Sequence, residues 1–317
     1  MIGNNLANGL FWAGMEQRVP TVMVSATPLF WVTGKAPMQC LDFAVPERLL
    51  PSLVGAGRAA FLFLADDWLR AVARTIGPMS FDASLSAIEA GLALHHGIWP
   101  ELLRAASPVD PPVCRACGFA RVGHLGTRAP ALSPELEAFL SAGDPPIVIG
   151  LGSIFSFGAD DVVFDLANAC VELGKRCVLV GPAPRARALP NETLVVPYAA
   201  YHLLFPRAEA VVIHGGAGTT GEALRSGRPA IVLPFAFDQF GLAWQVERLG
   251  VGVRVPKRGR SFEAIRDALR RATSDEKMRT RAKEVARALA GAEDGAVVAA
   301  RHVEALGVRG ARASSRG

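Results

Sequence analysis

Five short apolar runs, at residues 147–151, 177–180, 194–196, 211–213 and 231–233, follow one another through the second half of the chain. Each is bounded by Gly or Pro, and together they are rich in β-branched residues. Uninterrupted apolar runs of this length mark strands buried on both faces, hence a parallel sheet covered by helices. Helix-length segments stand between them: 161–173, with acidic residues at its start and Gly174 after it, 220–226, ended by Gly227, and 240–249, ended by Gly250. Strand and helix alternate, which predicts a doubly wound α/β sheet. From 261 to 306 the pattern is helical throughout, with Ser261, Ser274 and Asp294 as N-caps of three closing helices.

The front half is less regular. One good strand, 21–25, follows the helix-like 6–17, and Pro- and Gly-punctuated segments then run to about residue 128. Residues 129–146, APALSPELEAFLSAGDPP, are flanked by prolines, enclose one short amphipathic stretch and read as a linker. The expected organisation is a partial α/β domain over 1–128, the linker over 129–146, a complete α/β domain over 147–306 and a disordered Gly/Ser/Ala-rich tail over 307–317.

No run approaches the roughly 18 apolar residues of a membrane span. The opening MIGNNLANGLFWAGMEQR lacks a basic n-region and a small-residue cleavage site, so the expected location is the cytoplasm. The five cysteines are scattered, and Cys114 with Cys117 form the only CxxC. With no second ligand pair, that spacing reads as reduced thiols beside a loop, and no metal site is expected. The net charge of +5 is uneven: residues 145–317 carry 24 Lys/Arg against 17 Asp/Glu. A positive half suits an anionic ligand, while no motif for nucleic acid accompanies it. Arg outnumbers Lys 29 to 5, the mark of a GC-rich bacterial genome.

The chemistry concentrates in residues 211–241, VVIHGGAGTTGEALRSGRPAIVLPFAFDQFG, where a buried strand runs into a Gly-rich turn and a helix. Gly215, Gly216 and Gly218 let the backbone approach an anion, and the amides of Thr219 and Thr220 open the helix at the positive end of its dipole. A diphosphate fits such a cradle. His214 ends the strand at the sheet's carboxyl edge, where open α/β sheets bind ligands. Glu222, further along the helix, suits ribose hydroxyls. The next strand delivers Asp238 and Gln239, an acceptor carboxylate beside a bifunctional amide, which suits a polyol such as a sugar.

These residues resemble the bacterial GT-B glycosyltransferases that include rhamnosyl-, macrolide- and sterol-type transferases and are related to plant secondary-product glucosyltransferases. The spacing of His214, Glu222, Asp238 and Gln239 matches their donor motif. Likeness extends through SPELEAFLSAGDPPIVIGLGS at 133–153, YAAYHLLFPRAEAVV at 198–212 and WQVERLGVGVRV at 244–255, over roughly residues 95–306. The resemblance implies a Rossmann-like C-terminal donor domain in which Ser153, His214 and the loop of Gly215, Gly216, Gly218, Thr219 and Thr220 hold the donor diphosphate. By the same likeness Glu222 holds the ribose, and Asp238 with Gln239 holds the sugar. The Trp that stacks on uracil in the plant enzymes has no counterpart: Val196 stands at that spacing, with Pro197 and Tyr198 next, so the base stays open.

The implied activity is that of a hexosyltransferase: inverting, metal-independent transfer of a hexosyl or deoxyhexosyl group from a UDP- or dTDP-linked sugar to a small lipophilic acceptor, without a cofactor. Family members spend about two hundred residues on an N-terminal acceptor domain, and here likeness resumes only at FWAGMEQRVPTVMVSATP, 11–28. The early strands, and the family's general-base His, are therefore expected to be missing. His95, His96, Asp66 and Asp67 match no position of that base, and no catalytic base is assigned. The apolar Phe11, Trp12, Phe30 and Trp31 would want a docked segment or partner. The alternative function is a non-catalytic nucleotide-sugar-binding remnant or partner subunit. An NAD-dependent dehydrogenase fits less well, because its GxGxxG follows the first strand of a βαβ unit, whereas HGGAGTTGE lies late in the sheet.

Overall fold

The computed structural model describes residues 2–4, 22–25, 92–95, 120–121, 131–152, 160–184, 187–236, 238–291 and 293–314. Ser153, the helix-like segment 6–17, Asp66, Asp67, His96, the CxxC pair and the apolar Phe11, Trp12, Phe30 and Trp31 lie outside them. The chain divides into two compact units, one of Met1–Gln39, Ala44–Leu125 and Glu293–Gly317, the other of Cys40–Phe43 and Gly126–Ala292.

The first unit holds four parallel strands in the order β1 (Ile2–Asn4), β2 (Val22–Ser25), β3 (Leu92–His95) and β4 (Ala120–Arg121). Ile2 pairs with Val22, Val22 with Leu92 and Leu94 with Ala120. Only β2 carries the β-branched signature that periodicity can read.

The second unit is built on a six-stranded, all-parallel sheet of β5 (Ile147–Gly150), β6 (Cys177–Val180), β7 (Thr193–Val196), β8 (Ala210–Ile213), β9 (Ala230–Val232) and β10 (Gly252–Arg254). The spatial order is β10-β9-β8-β5-β6-β7. The chain thus builds outward from β5 to β7, then returns to lay β8 on the other side of β5. That reversal is a topological switch point, and a crevice must open outside the carboxyl ends of β5 and β8.

Helices α1 (Pro134–Ser141), α2 (Asp160–Glu172), α3 (Tyr201–Leu204), α4 (Ala217–Arg225), α5 (Asp238–Arg248), α6 (Phe262–Ser274) and α7 (Glu276–Ala290) surround this sheet. One core cluster joins Leu166 and Cys170 of α2 and Ala268 and Leu269 of α6 to Ile147, Ile149, Leu179, Val212 and Ile231 of the strands. The alternate strand residues Val148, Val178, Val211 and Val232 are equally buried but face the other way. Both faces of the sheet are therefore dry, as the continuous apolar runs require.

The structure adds detail to the sequence reading in three places. The stretch read as a linker contains α1, capped by Ser133 Oγ accepting from the Leu136 amide at 3.3 Å, with Leu136 and Leu140 buried. Arg176 ties it down, donating to the carbonyls of Phe139 (2.9 Å) and Asp144 (2.7 Å) while lying 4.4 Å over the Phe139 ring. Asp275, not Ser274, caps α7, its Oδ1 accepting from the Met278 amide at 3.0 Å. Finally, α8 (Gly295–Ser314) carries helical backbone through most of the segment expected to be a disordered tail. Its Ala and Arg content favours helix, and Asp294 Oδ1 accepts from the Ala296 amide at 2.8 Å at its start. Among the described residues no helix is long and apolar enough to cross a membrane.

Candidate functional site

The switch point is occupied by His214, which directly follows β8 and is only 9% exposed. Its imidazole is wedged between two glycines. A Cβ on Gly152, two residues past β5, would lie 2.9 Å from His214 Cε1, and one on Gly216 only 2.3 Å from Nε2. Neither position therefore admits a side chain while the ring stays where it is. Burial pushes the imidazole's pKa below its ordinary 6.5, with a backbone contact to Gly150 opposing the shift in part. Nδ1 is buried and has no hydrogen-bond partner. The Nε2 edge of the ring is the one nearest Gly216, at the start of α4.

A pH dependence follows from that shift. Between the lowered folded pKa and 6.5, the unfolded chain binds a proton that the folded chain refuses, so His214 costs stability as pH falls. The stability of the wild type relative to His214→Asn is expected to be constant above pH 6.5 and to decline below it. Denaturant midpoints measured from about pH 8 to about pH 5 check this; a constant difference across that range would contradict the buried neutral imidazole.

The turn after His214 is fixed by Gly215, whose φ of +88° belongs to the left-handed region. A Cβ there would also meet the Gln239 carbonyl oxygen at 3.0 Å. Gly216 is the N-cap of α4 and supplies no side-chain cap. The amides of Ala217, Gly218 and Thr219 therefore lack intrahelical partners. Thr220 differs from its expected role: its amide donates to the Gly216 carbonyl at 2.9 Å, and its side chain is buried. The helix starts one turn earlier than the sequence pattern indicates, so the cradle is Ala217–Gly218–Thr219. Above Gly218, which is exposed, a Cβ would meet nothing within 4 Å.

Beside the cradle lies a cleft of about 390 Å³, walled by Gly152, Val180, Gly181, Pro182 and residues 197–202, with Glu222 of α4 on one side. Tyr198 is 68% exposed on its rim, whereas Val196 is 3% exposed. Val196, which stands at the spacing of the plant enzymes' base-stacking Trp, is buried at the strand end, and Tyr198 is turned outward. Tyr201 also lines the cleft, its ring stacked on Phe205 at 4.4 Å and its hydroxyl held against Gly150. Burial pushes that phenol up to about 12, so it remains a hydrogen-bond donor at any working pH.

On the opposite side of His214, α5 opens with Asp238 and Gln239. Burial raises the Asp238 carboxyl above its ordinary value, and the amides of Asp238 and Gln239 oppose part of the rise. Gln239 is 9% exposed, and its Oε1 accepts from the amides of Phe235 (2.8 Å) and Ala236 (3.1 Å). Its carbonyl oxygen is thus engaged by the protein, and only Nε2 is left for a ligand. The order across the mouth of the sheet is Glu222 and the cleft, then His214 and the α4 amides, then Gln239 and Asp238.

A six-stranded parallel sheet with helices on both faces and a glycine turn opening a helix at its switch point matches one α/β unit of a GT-B-type fold. The comparisons agree. Residues 167–305 match the erythromycin biosynthesis protein CIII-like C-terminal domain. The chain is 36% identical over 181 residues to O-mycaminosyltylonolide 6-deoxyallosyltransferase of Streptomyces fradiae, 57% of this chain and 42% of that protein. It is 35% identical over 162 residues to the sterol 3-beta-glucosyltransferase of Saccharomyces cerevisiae (strain YJM789), 47% of this chain and 13% of that one. The solved structure of spinosyn rhamnosyltransferase complexed with thymidine diphosphate superposes with a TM-score of 0.63 at 20% identity, covering 96% of this chain and 72% of that structure. Through this domain the chain is similar to these glycosyltransferases, and it spans less than half the length of the curated relatives it matches.

Proposed function

We propose that the chain binds a UDP- or dTDP-linked sugar at this edge and serves transfer of its hexosyl or deoxyhexosyl group to a small lipophilic acceptor. The observation that carries the reading is the alignment of three neighbouring subsites: the cleft with Glu222 and Tyr198 for a nucleoside, the free α4 amides with His214 for a diphosphate, and Asp238 with Gln239 Nε2 for a sugar. Ser153 remains proposed as a further diphosphate contact. A relative named for 6-deoxyallosyl transfer and a neighbour complexed with thymidine diphosphate support a deoxyhexose on dTDP; the sterol-glucosylating relative supports a lipophilic acceptor.

The reaction proposed is a direct, inverting displacement. The acceptor oxygen bonds to the anomeric carbon as the bond to the diphosphate oxygen breaks, and the acceptor proton passes to a general base. The charge gathered on the leaving diphosphate is met by the α4 N-terminus and by His214, a neutral imidazole that donates from one nitrogen. Fixed dipoles of this kind are the basis for proposing that no metal is needed.

Calorimetry of the full chain with UDP, dTDP, GDP and NAD tests the reading. UDP or dTDP is expected to bind, with affinity reduced about a hundredfold in His214→Ala and about tenfold in Glu222→Ala, as for loss of charge-assisted contacts. A folded chain that ignores both pyrimidine nucleotides, or prefers NAD, would overturn it.

A further inference from the structure

We infer that Arg260 is a positioning residue for the transferred sugar, holding the 234–236 turn so that Asp238 and Gln239 face the donor. The inference rests on the nucleotide-sugar reading above, and nothing in the donor motif includes Arg260, which lies beyond β10.

The turn's own hydrogen bonding points to it. Of the five backbone polar groups in Pro234, Phe235 and Ala236, three are engaged by Gln239: its Oε1 accepts from both amides, and its own amide donates to the Ala236 carbonyl at 3.2 Å. The other two are carbonyls, and both are taken by the segment between β10 and α6. Arg260 Nη2 donates to Pro234 at 2.7 Å, and Lys257 Nζ donates to Phe235 at 3.4 Å. Arg260 Nη2 also donates to the Val255 carbonyl at 3.3 Å, and its guanidinium lies 4.7 Å from the centre of the Phe235 ring. One planar group thereby fastens the turn to the end of β10 by both edge and face, which a flexible ammonium cannot reproduce.

One residue separates the turn from Asp238, the first residue of α5. With all its polar groups engaged, the turn has one arrangement, and so do the first residues of α5. Removing Arg260 leaves the Pro234 carbonyl without its partner and frees one side of the turn. The bonds Arg260 makes to the Pro234 and Val255 carbonyls hold the turn, not His214, the α4 amides or the nucleoside cleft, which are expected to keep their geometry. Loss of Arg260 is therefore expected to discriminate between ligands that carry a sugar and ligands that end at the diphosphate.

The test compares UDP with UDP-glucose, and dTDP with dTDP-glucose, on the full chain by calorimetry. In Arg260→Met the free nucleotides are expected to bind within about twofold of wild type, while the nucleotide sugars weaken about tenfold, the scale of one charged hydrogen bond. Arg260→Lys, too short to reach both carbonyls, is expected to give an intermediate loss of about threefold with the same selectivity; it carries the test if Arg260→Met does not fold. Equal weakening of nucleotide and nucleotide sugar, as general destabilisation would produce, overturns the inference, and so does no weakening of either. A wild-type chain that binds neither nucleotide overturns the donor-site reading itself.

Discussion

Gly252→Ala is expected to destabilise the second unit by about 3 kcal/mol or more, an overpacking cost at the top of the usual range. A Cβ at this position would sit 2.2 Å from the Ala230 carbonyl oxygen and 2.6 Å from Val246 Cγ1. Gly252 is the register partner of Ala230 in the β9–β10 pair, so the obstacle is backbone that cannot move without losing the ladder. The same pair delivers Arg254 to the face of Trp244 at 3.8 Å and leads into the segment that carries Arg260. For a unit of this size the loss corresponds to a fall in melting temperature of about 10 °C by circular dichroism. Gly174→Ala is the control. Gly174 has φ +65° and open space around its missing Cβ, so only the left-handed backbone is strained, at about 1 kcal/mol. Equal melting of the two variants would show that the backbone contact at Gly252 does not exist.

Gly252 also marks where the sequence stops being legible. The five apolar runs announce β5 to β9 because strands buried on both faces have no polar phase to conceal them. Strand β10 is three residues with a glycine at its start, and among the described residues it pairs only on one side. Its residues satisfy no strand template long enough to separate from a turn. In the first unit, Leu92–His95 and Ala120–Arg121 contain Ala, Leu and Arg, which favour helix; they are strands because of their neighbours, a tertiary decision.

The candidate site was legible in its residue types and less so in their facing. Gly-rich turn, His214, Glu222, Asp238 and Gln239 do gather at one sheet edge. Which atoms remain available is set by packing: Thr220 turns inward because α4 begins at Ala217, and Gln239 spends its oxygen on the 234–236 turn. Tyr198 is a similar case. The spacing of the plant enzymes' stacking Trp falls on Val196 and so offers no aromatic; β7 ends there with that side chain buried, and the chain exposes a ring two positions later. Arg260 was invisible for a simpler reason, since a guanidinium that donates to backbone carbonyls leaves no pattern in the residue types of the accepting positions.

Gly216 and Gly218 stand two residues apart in the cradle and are expected to answer the same substitution in opposite ways. In Gly216→Ala the new methyl would sit 2.3 Å from His214 Nε2 and 3.0 Å from Cε1. Gly152 packs close to the same ring, where even an added Cβ would lie 2.9 Å from Cε1, so the ring has little room to retreat. The imidazole must leave its rotamer or the α4 N-terminus must shift, and either change separates His214 from the α4 amides. Nucleotide affinity is expected to fall at least about a hundredfold, the equivalent of roughly 3 kcal/mol. Gly218→Ala meets no protein atom within 4 Å. The ligand-free chain should tolerate it or gain about 0.5 kcal/mol from better helix propensity. If a diphosphate lies against the α4 amides, the methyl projects into its place, so affinity falls while melting temperature holds or rises. That divergence separates a ligand cradle from a glycine turn needed only for folding. Unchanged nucleotide affinity in Gly218→Ala would move the diphosphate away from this helix end, and the assignment of the leaving-group site would go with it.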